Sequence, residues 1–173
     1  MNEKVFSYTT ISKSLDTTEF GHPLYYYNST SSTNNKAKDL ALNGEPEGTL
    51  VVANEQTAGR GRFDRRWFTP KGSGLAVSFI LRSKLSNPEI SQMPLLGGLA
   101  TAYAIEQLYN ISPKLKWPND IWVEQKKIAG ILVETSYTEN LPEWQILGIG
   151  VNVNSAPLEV TNPSYDVSGP TEV

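Results

Sequence analysis

Two long runs late in the chain, Lys127 to Tyr137 and Trp144 to Asn154, have the composition of a strand pair joined by a polar loop around Asn140 to Pro142. A join that short turns a strand back on itself, whereas parallel neighbours need a crossover of a dozen residues or more. The pair therefore commits the chain to an antiparallel sheet. Gly130, Gly148 and Gly150 interrupt both runs. Glycine inside a strand marks a bulge or the close approach of another group. Alternate glycines at 148 and 150 strip one strand face of side chains, leaving room for a ligand or a packed helix.

The other segments fit around this pair. Leu24 to Tyr27, Leu50 to Asn54 and Leu75 to Leu81 are strand candidates, the last apolar almost throughout and so expected to be central. Lys36 to Leu42 is a short helix, with Ser32 or Thr33 expected to cap it through a side-chain oxygen and Asn43-Gly44 to end it. Met93 to Tyr109 is the strongest helix. Leu95, Leu99, Ala102, Ile105 and Tyr109 are expected to line its inner face, and Gly97-Gly98 to let it pack closely on the sheet. Leu115 to Trp117 and Ile121 to Val123 flank Pro118-Asn119-Asp120, and Glu124-Gln125-Lys126 is a turn. Met1 to His22 has no assignable pattern, and Ser155 to Val173 has loop composition. Strands dominate and hairpin joins outnumber βαβ crossovers, which predicts an α+β fold with a mixed, mostly antiparallel sheet. The length predicts a single domain, 1–173.

Composition removes several function classes. There is no cysteine and one histidine, His22, so disulfides, thiol catalysis, cysteine-based zinc sites and a serine–histidine pair are excluded, and no resident metal site is expected. Met1 to Leu15 lacks the apolar core of a signal peptide, and no run approaches a membrane span. A cytoplasmic enzyme or binding domain is expected. The net charge of −3 provides no global basic field, so neither nucleic acid nor membrane is an expected partner.

Against that acidic background, Gly59-Arg60-Gly61-Arg62-Phe63-Asp64-Arg65-Arg66-Trp67 concentrates four arginines in nine residues. Arginine forks fit carboxylate and phosphate, and glycine admits positive φ or close approach of a ligand. The plain alternative is a solvated basic loop. The interleaved glycines and Trp67 favour a clamp on an anion that carries a flat ring, and no Gly-Lys-Ser/Thr follows to make it a P-loop. Three further segments accompany it. Lys116-Trp117-Pro118-Asn119-Asp120 turns the chain with a carboxylate at its tip, and standing alone it is equally a plain turn. Lys127-Ile128-Ala129-Gly130-Ile131-Leu132-Val133-Glu134 sets a lysine beside small residues. Gly148-Ile149-Gly150-Val151-Asn152 ends a bared strand face on an amide.

In this order and spacing, from about Tyr25 to Asn154, the four segments resemble the catalytic domain of biotin protein ligases. The resemblance implies a class II synthetase-like domain with helices on one face of the sheet. It implies ATP-dependent activation of biotin as biotinyl-5′-AMP, followed by transfer to a lysine of a carboxylase's biotin carrier domain. ATP and Mg²⁺ are the implied cofactors, and a homodimer is compatible with it. Matched by motif, Ser32, Thr33, Asn34, Gln56, Gly59, Arg60 and Gly130 would contact biotin. Arg62 and Lys127 would bridge the biotin carboxylate and the phosphates. Arg65, Trp67 and Asn152 would serve ATP, and Asp120 would stand where the incoming lysine loses its proton.

This chain departs from the family pattern in two places. Asp64 stands where the family has glycine. Aspartate tolerates left-handed backbone, so the turn is expected to survive, with a carboxylate among the arginines weakening the grip on phosphate. The resemblance stops short of the family's C-terminal barrel and of the helix-turn-helix segment of some relatives, so neither is expected within residues 1–173. The rival readings are a lipoate or octanoate ligase of the same superfamily and a truncated, non-catalytic biotin-binding module.

Overall fold

The structure is a computed structural model that describes residues 6–82 and 85–154. The expected loop from Ser155 onward lies outside the described residues. In chain order the elements are α1 (Tyr8–Ser14), β1 (Leu24–Tyr27), α2 (Thr33–Leu42), β2 (Leu50–Ala53), β3 (Gly74–Leu81), α3 (Asn87–Tyr109), β4 (Lys114–Lys116), β5 (Asp120–Val123), β6 (Lys126–Thr138) and β7 (Leu141–Asn152). The strands form one seven-stranded sheet in the order β1-β2-β3-β7-β6-β5-β4. Among the described strands only β1 and β2 pair in parallel, and α2 supplies their crossover. This is the expected α+β fold with a mixed, mostly antiparallel sheet.

The β6–β7 hairpin is its backbone. Thr138 pairs with Leu141 across Glu139 and Asn140, both left-handed at φ 52° and 66°. Two left-handed residues make the two-residue loop whose twist matches that of the strands it joins. The join is tighter than the expected 140–142, because Leu141 and Pro142 already belong to the strand. β3 pairs with β7 over its whole length, from Gly74–Asn152 to Leu81–Gln145, which places it inside the sheet as expected.

Successive residues of a strand point to opposite faces, and the core accordingly lies in two layers. On one face Ala102 of α3 packs with Ile121, Ala129 and Ile131, backed by Leu147 and Ile149. The same face continues over Leu50, Val52 and Val77, against which Ile11 and Leu15 of the α1 region pack. On the other face Ala37 and Ala41 of α2 pack with Val51, Ile80, Trp144 and Ile146. The expected placement of the helices on one face is therefore corrected: α2 lies opposite α1 and α3. Beyond Ile146 on the α2 face, β7 itself carries no side chains at Gly148 and Gly150.

Helix α3 begins six residues before the expected Met93. Ser86 donates from its backbone N and its Oγ to Glu89 Oε2 (2.8 and 2.6 Å), and Pro88 occupies the first turn, where its missing N–H has no partner to lose. Its inner face is also corrected. Leu95, Leu99 and Tyr109 are 46, 56 and 62% exposed, while Ile90, Gly97, Gly98, Ala102 and Ile105 are buried. A Cβ on Gly97 would stand 2.7 Å from Leu147 Cδ1, and one on Gly98 would stand 3.0 Å from Leu115 Cδ2. The glycine pair thus lets the helix settle on the sheet, as expected.

Candidate functional site

The bared strip of sheet has a floor of three glycines. Gly130 and Gly150 are direct partners across β6 and β7, and Gly148 lies two residues further along β7. Side chains from elsewhere occupy the space that these glycines leave. A Cβ on Gly148 would come within 2.1 Å of Asn34 Oδ1, and one on Gly150 within 2.3 Å of the Trp67 ring. On Gly130 it would meet Trp67 at 3.1 Å and the Lys127 ammonium at 3.4 Å. The indole of Trp67 lies against the bare backbone of Gly150 and Gly130, and Lys127 Nζ stands over its ring, 5.4 Å from the centroid.

At the Trp67 end the charged groups converge. Lys127 Nζ is 2.8 Å from Asp120 Oδ1, with both side chains about a quarter exposed. Asn152 donates to the carbonyl of Lys127 (3.4 Å), fixing the last residue of β7 against the start of β6. Asn119 donates to Ile131 O (2.8 Å) and receives a long contact from Arg62 Nη1 (3.3 Å). The Pro-Asn-Asp turn is thereby pinned to β6, and Arg62 reaches it at Asn119. A cleft of about 150 Å³ beside this turn is walled by Pro94, Leu95, Leu115 and Trp117 and reaches Asp120.

At the other end a polar wall surrounds the start of α2. Gln56 Oε1 accepts from Thr33 N (2.8 Å) and Thr33 Oγ1 (3.1 Å). Ser78 Oγ lies 2.8 Å from Thr33 Oγ1 and 2.6 Å from Asn34 Oδ1. Asn34 Nδ2 donates to Glu134 Oε2 (2.7 Å), and Arg60 Nη2 grips both oxygens of Glu134 at 2.8 and 2.7 Å. The expected side-chain cap by Ser32 or Thr33 is replaced: Ser32 stands at the cap without a side-chain bond, and Gln56 takes the free N–H of Thr33 from outside the helix.

The arginine loop that links the two ends is itself a tight hairpin. Gly61 N donates to Arg65 O (2.7 Å), Arg65 N to Arg62 O (3.2 Å), and Trp67 N to Gly59 O (2.9 Å). The left-handed residues at its tip are Phe63 (φ 54°) and Asp64 (φ 58°), not the glycines. Gly59 serves close approach instead, since a Cβ there would lie 2.3 Å from Trp67 O and 2.7 Å from Gln56 Nε2.

A sequence profile of the biotin/lipoate A/B protein ligase family matches residues 26–152, from β1 to the end of β7. This chain belongs to that family. Within it, the chain is 42% identical to the bifunctional ligase/repressor BirA of Bacillus subtilis over 154 residues, covering 89% of this chain and 47% of that protein. It is 37% identical to the biotin–[acetyl-CoA-carboxylase] ligase of Paracoccus denitrificans over 74% of this chain and 53% of that one. The chain thus spans about half the length of the curated relatives it matches. Among solved structures, it resembles biotin protein ligase from Aquifex aeolicus in complex with biotin and ATP, with 37% identity, 76 and 53% of the two chains covered and a TM-score of 0.63. It also resembles the Leishmania major biotin protein ligase in complex with biotinyl-5-AMP, with 29% identity, 78 and 58% coverage and a TM-score of 0.68.

For the ligase family member described here, the structure gathers the expected site residues into two groups on one sheet face. Ser32, Thr33, Asn34, Gln56, Gly59 and Arg60 surround the polar wall. Arg62, Trp67, Asp120, Lys127, Gly130 and Asn152 surround the indole. Arg65 stands outside both: it is exposed, and with Arg60 and Arg66 it lines an open hollow of about 340 Å³ along the loop. Sequence reasoning assigned no role to Ser78, Glu134 or Asn119. Ser78 carried a signal, a lone hydroxyl in the apolar run Leu75 to Leu81, and it is fully buried.

Proposed function

We propose that this chain activates biotin with ATP as biotinyl-5′-AMP and passes the biotinyl group to a lysine of a biotin carrier domain. The observation that supports this most is the division of the glycine-floored face: hydroxyl and amide groups backed by the internally neutralised Arg60–Glu134 pair at one end, and a tryptophan with cations at the other. That division suits a ligand with a polar uncharged head, a carboxylate in the middle and a nucleotide beyond.

In the first step an oxygen of the biotin carboxylate attacks the α-phosphorus, and pyrophosphate leaves with the bonding electron pair. Two anions must meet, so fixed positive charge is needed where they do. Arg62 and Lys127 provide it, and Trp67 presents a ring face to adenine. Arg65, exposed on the seated loop, would reach the phosphates from its outer side. Mg²⁺ would accompany the nucleotide phosphates, sharing their charge with Arg62 and Lys127. When bound, it screens the phosphate charge.

In the second step the lysine amine attacks the acyl carbon and AMP departs. An ammonium must first lose a proton, and Asp120 is the carboxylate positioned to take it. Lys127 and Asp120 are paired in the resting site, so drawing Lys127 onto phosphate frees Asp120 for that role. The mixed anhydride must be shielded from water, which suits a loop able to fold over it. Among the described residues no helix is long and apolar enough to cross a membrane. A reaction that consumes ATP fits the cytoplasm.

The test is mass spectrometry of a biotin carrier domain after incubation with this chain, biotin and MgATP, read beside biotin-dependent ATP–pyrophosphate exchange. The expected result is one added biotinyl group and exchange driven by biotin. Exchange driven by lipoate or octanoate instead, or biotin binding with no exchange, would overturn the reading.

A further inference from the structure

The loop over the glycine floor creates a problem of access. A mixed anhydride held beneath it must be kept from water, yet an acceptor amine has to reach it. The Pro118-Asn119-Asp120 turn has a second approach, from the side of α3. There the cleft of about 150 Å³ is walled by Pro94 and Leu95 of α3 and by Leu115 and Trp117, and it reaches Asp120. None of the residues that line it belongs to the arginine loop. Pockets for nucleotides and cofactors run from roughly 300 Å³ upward, so this cleft is sized for a single side chain. Four apolar walls with a carboxylate at the inner end complement a lysine, which lays its methylene stem along apolar surface and keeps its ammonium for charge or water.

The rim adds a second complementarity. β4 is an edge strand of the sheet, and its three residues are exposed. Lys116 pairs directly with Asp120 across β4 and β5, and Lys114 pairs with Trp122. Residues two apart on a strand share a face, so the two lysines stand side by side next to the turn. Lys116 also lines the cleft, with its Nζ 4.1 Å from the Trp122 ring centroid. From Lys114 to Lys127 four lysines (114, 116, 126 and 127) stand against Asp120 and Glu124, in a chain whose net charge is −3. Above this basic rim Trp117 is 83% exposed. A large aromatic side chain left that open is the type of residue that anchors protein interfaces.

We propose that the cleft and the β4 edge form the docking surface for the acceptor, a folded partner that presents its lysine on a protruding turn with acidic residues around it. The stem of that lysine lies between Leu95 and Trp117, its ammonium meets Asp120, and the acidic neighbours face Lys114 and Lys116. A turn is required because a cleft of this volume admits one side chain and no strand or helix. The acceptor thus enters from the sheet edge while the loop stays seated over the adenylate. This inference rests on the proposed ligase reading and goes beyond it by assigning the acceptor's route.

The test compares three rates in the wild type, Leu95→Arg and Lys114→Glu: biotin-dependent ATP–pyrophosphate exchange, capture of the activated biotin by hydroxylamine, which is too small to need a groove, and labelling of a biotin carrier domain. Leu95→Arg puts a cation across the cleft and is expected to lower kcat/KM for the carrier about tenfold or more, the loss of an interface hot spot. Exchange and hydroxylamine capture should stay within about twofold of the wild type, since the charge-stabilising groups are untouched. Lys114→Glu should raise KM for the carrier several-fold at low salt, and that difference should close toward about 1 M salt, where screening reaches within about 3 Å. An unchanged kcat/KM for the carrier in either folded variant overturns the inference. So does a parallel fall in all three rates, which would mark a structural defect. Lys114 is on an exposed edge, so its variant decides if Leu95→Arg does not fold. A wild-type dimer that Leu95→Arg splits, with carrier labelling unaltered, would give the cleft to a second copy and also overturn it. A wild-type chain with no biotin-driven exchange or no carrier labelling overturns the proposed function as well. Labelling by the wild type that both variants match overturns this inference alone.

Discussion

Lys127 is the residue on which the proposed chemistry turns. Its ammonium is shared between Asp120 at 2.8 Å and the Trp67 ring at 5.4 Å, which in the proposed reaction is where carboxylate, nucleotide and incoming amine would meet. Lys127→Ala is expected to slow adenylate formation on the order of 10²- to 10³-fold, the usual loss when a fixed charge-stabilising group is removed. Biotin affinity should fall less than about tenfold, since the head-group wall is untouched. Rapid-quench measurement of the adenylate beside calorimetry separates the two, and equal losses would count against an adenylation role. Asp64 makes a different point. At φ 58° it holds a conformation that costs a non-glycine residue roughly 1–2 kcal/mol, eased for aspartate. Asp64→Gly should therefore leave stability unchanged or raise it by up to about 1 kcal/mol in chemical denaturation. A clear loss would show that the carboxylate itself holds the loop. That left-handed turn was legible at Asp64, but its other half, Phe63, was not. An aromatic residue carries no sign that closure of the Gly61–Arg65 hairpin will force it to positive φ.

Among the elements, α3 shows where a sequence stops informing. Its existence was plain from Met93 on, yet its start and its inner face were not. The start depends on Ser86 and Glu89 meeting, a local signal overshadowed by Pro94 inside the helix. The face was illegible because apolar residues ring the helix: Leu95, Leu96, Leu99 and Tyr103 are all exposed. Only the two glycines, whose missing side chains admit Leu147 and Leu115, show which side goes down. Gly97→Val should accordingly destabilise the protein by about 1–3 kcal/mol, as overpacking does, despite replacing a poor helix former. Urea denaturation measures it, and a neutral result would mean that Leu147 swings aside freely. The capping box adds a pH-dependent contribution. Hydrogen bonds from the Ser86 side chain, then from its backbone, hold the Glu89 carboxyl below its ordinary range. A carboxyl lowered in the folded state contributes stability above its unfolded pKa and loses it as pH falls through the lowered folded value. Glu89→Gln should thus flatten the acid side of the stability profile and leave its slope between pH 6 and 8 alone. Strands were easier to read than helices because short apolar runs between turn residues leave few alternatives. Their arrangement was not, since the two-faced layering rests on contacts such as Asn34 with Glu134, 100 residues apart.

At the scale of the molecule, one sheet does two jobs on its two faces: α1 and α3 close the first, and the second is kept bare by glycines and covered by α2 and a loop. That loop is fastened at both ends of the site, by Arg60 on Glu134 and by Trp67 on Gly130 and Gly150. The fastening explains how an arginine-rich segment lies down on the protein before any anion arrives. A loop held by so few contacts is expected to exchange between this seated form and a lifted one. The Arg60–Glu134 pair is 43 and 32% exposed, so solvent screens it and its contribution is about 1 kcal/mol or less. Removing it with Glu134→Ala should raise the lifted population by up to about fivefold. Trypsin reports this directly, because the seated hairpin presents Arg62, Arg65 and Arg66 in a poorly cleavable tight turn and the lifted one presents open chain. When opening is fast relative to cleavage, the rate of nicking follows the lifted population. Glu134→Ala should therefore be nicked within residues 60–67 several times faster than the wild type at low protease, and biotin with MgATP should slow nicking of both. Equal rates of nicking in the two proteins would show that Trp67 alone seats the loop. Gly150→Ala, which drives a methyl into the indole, would then be the variant that opens it.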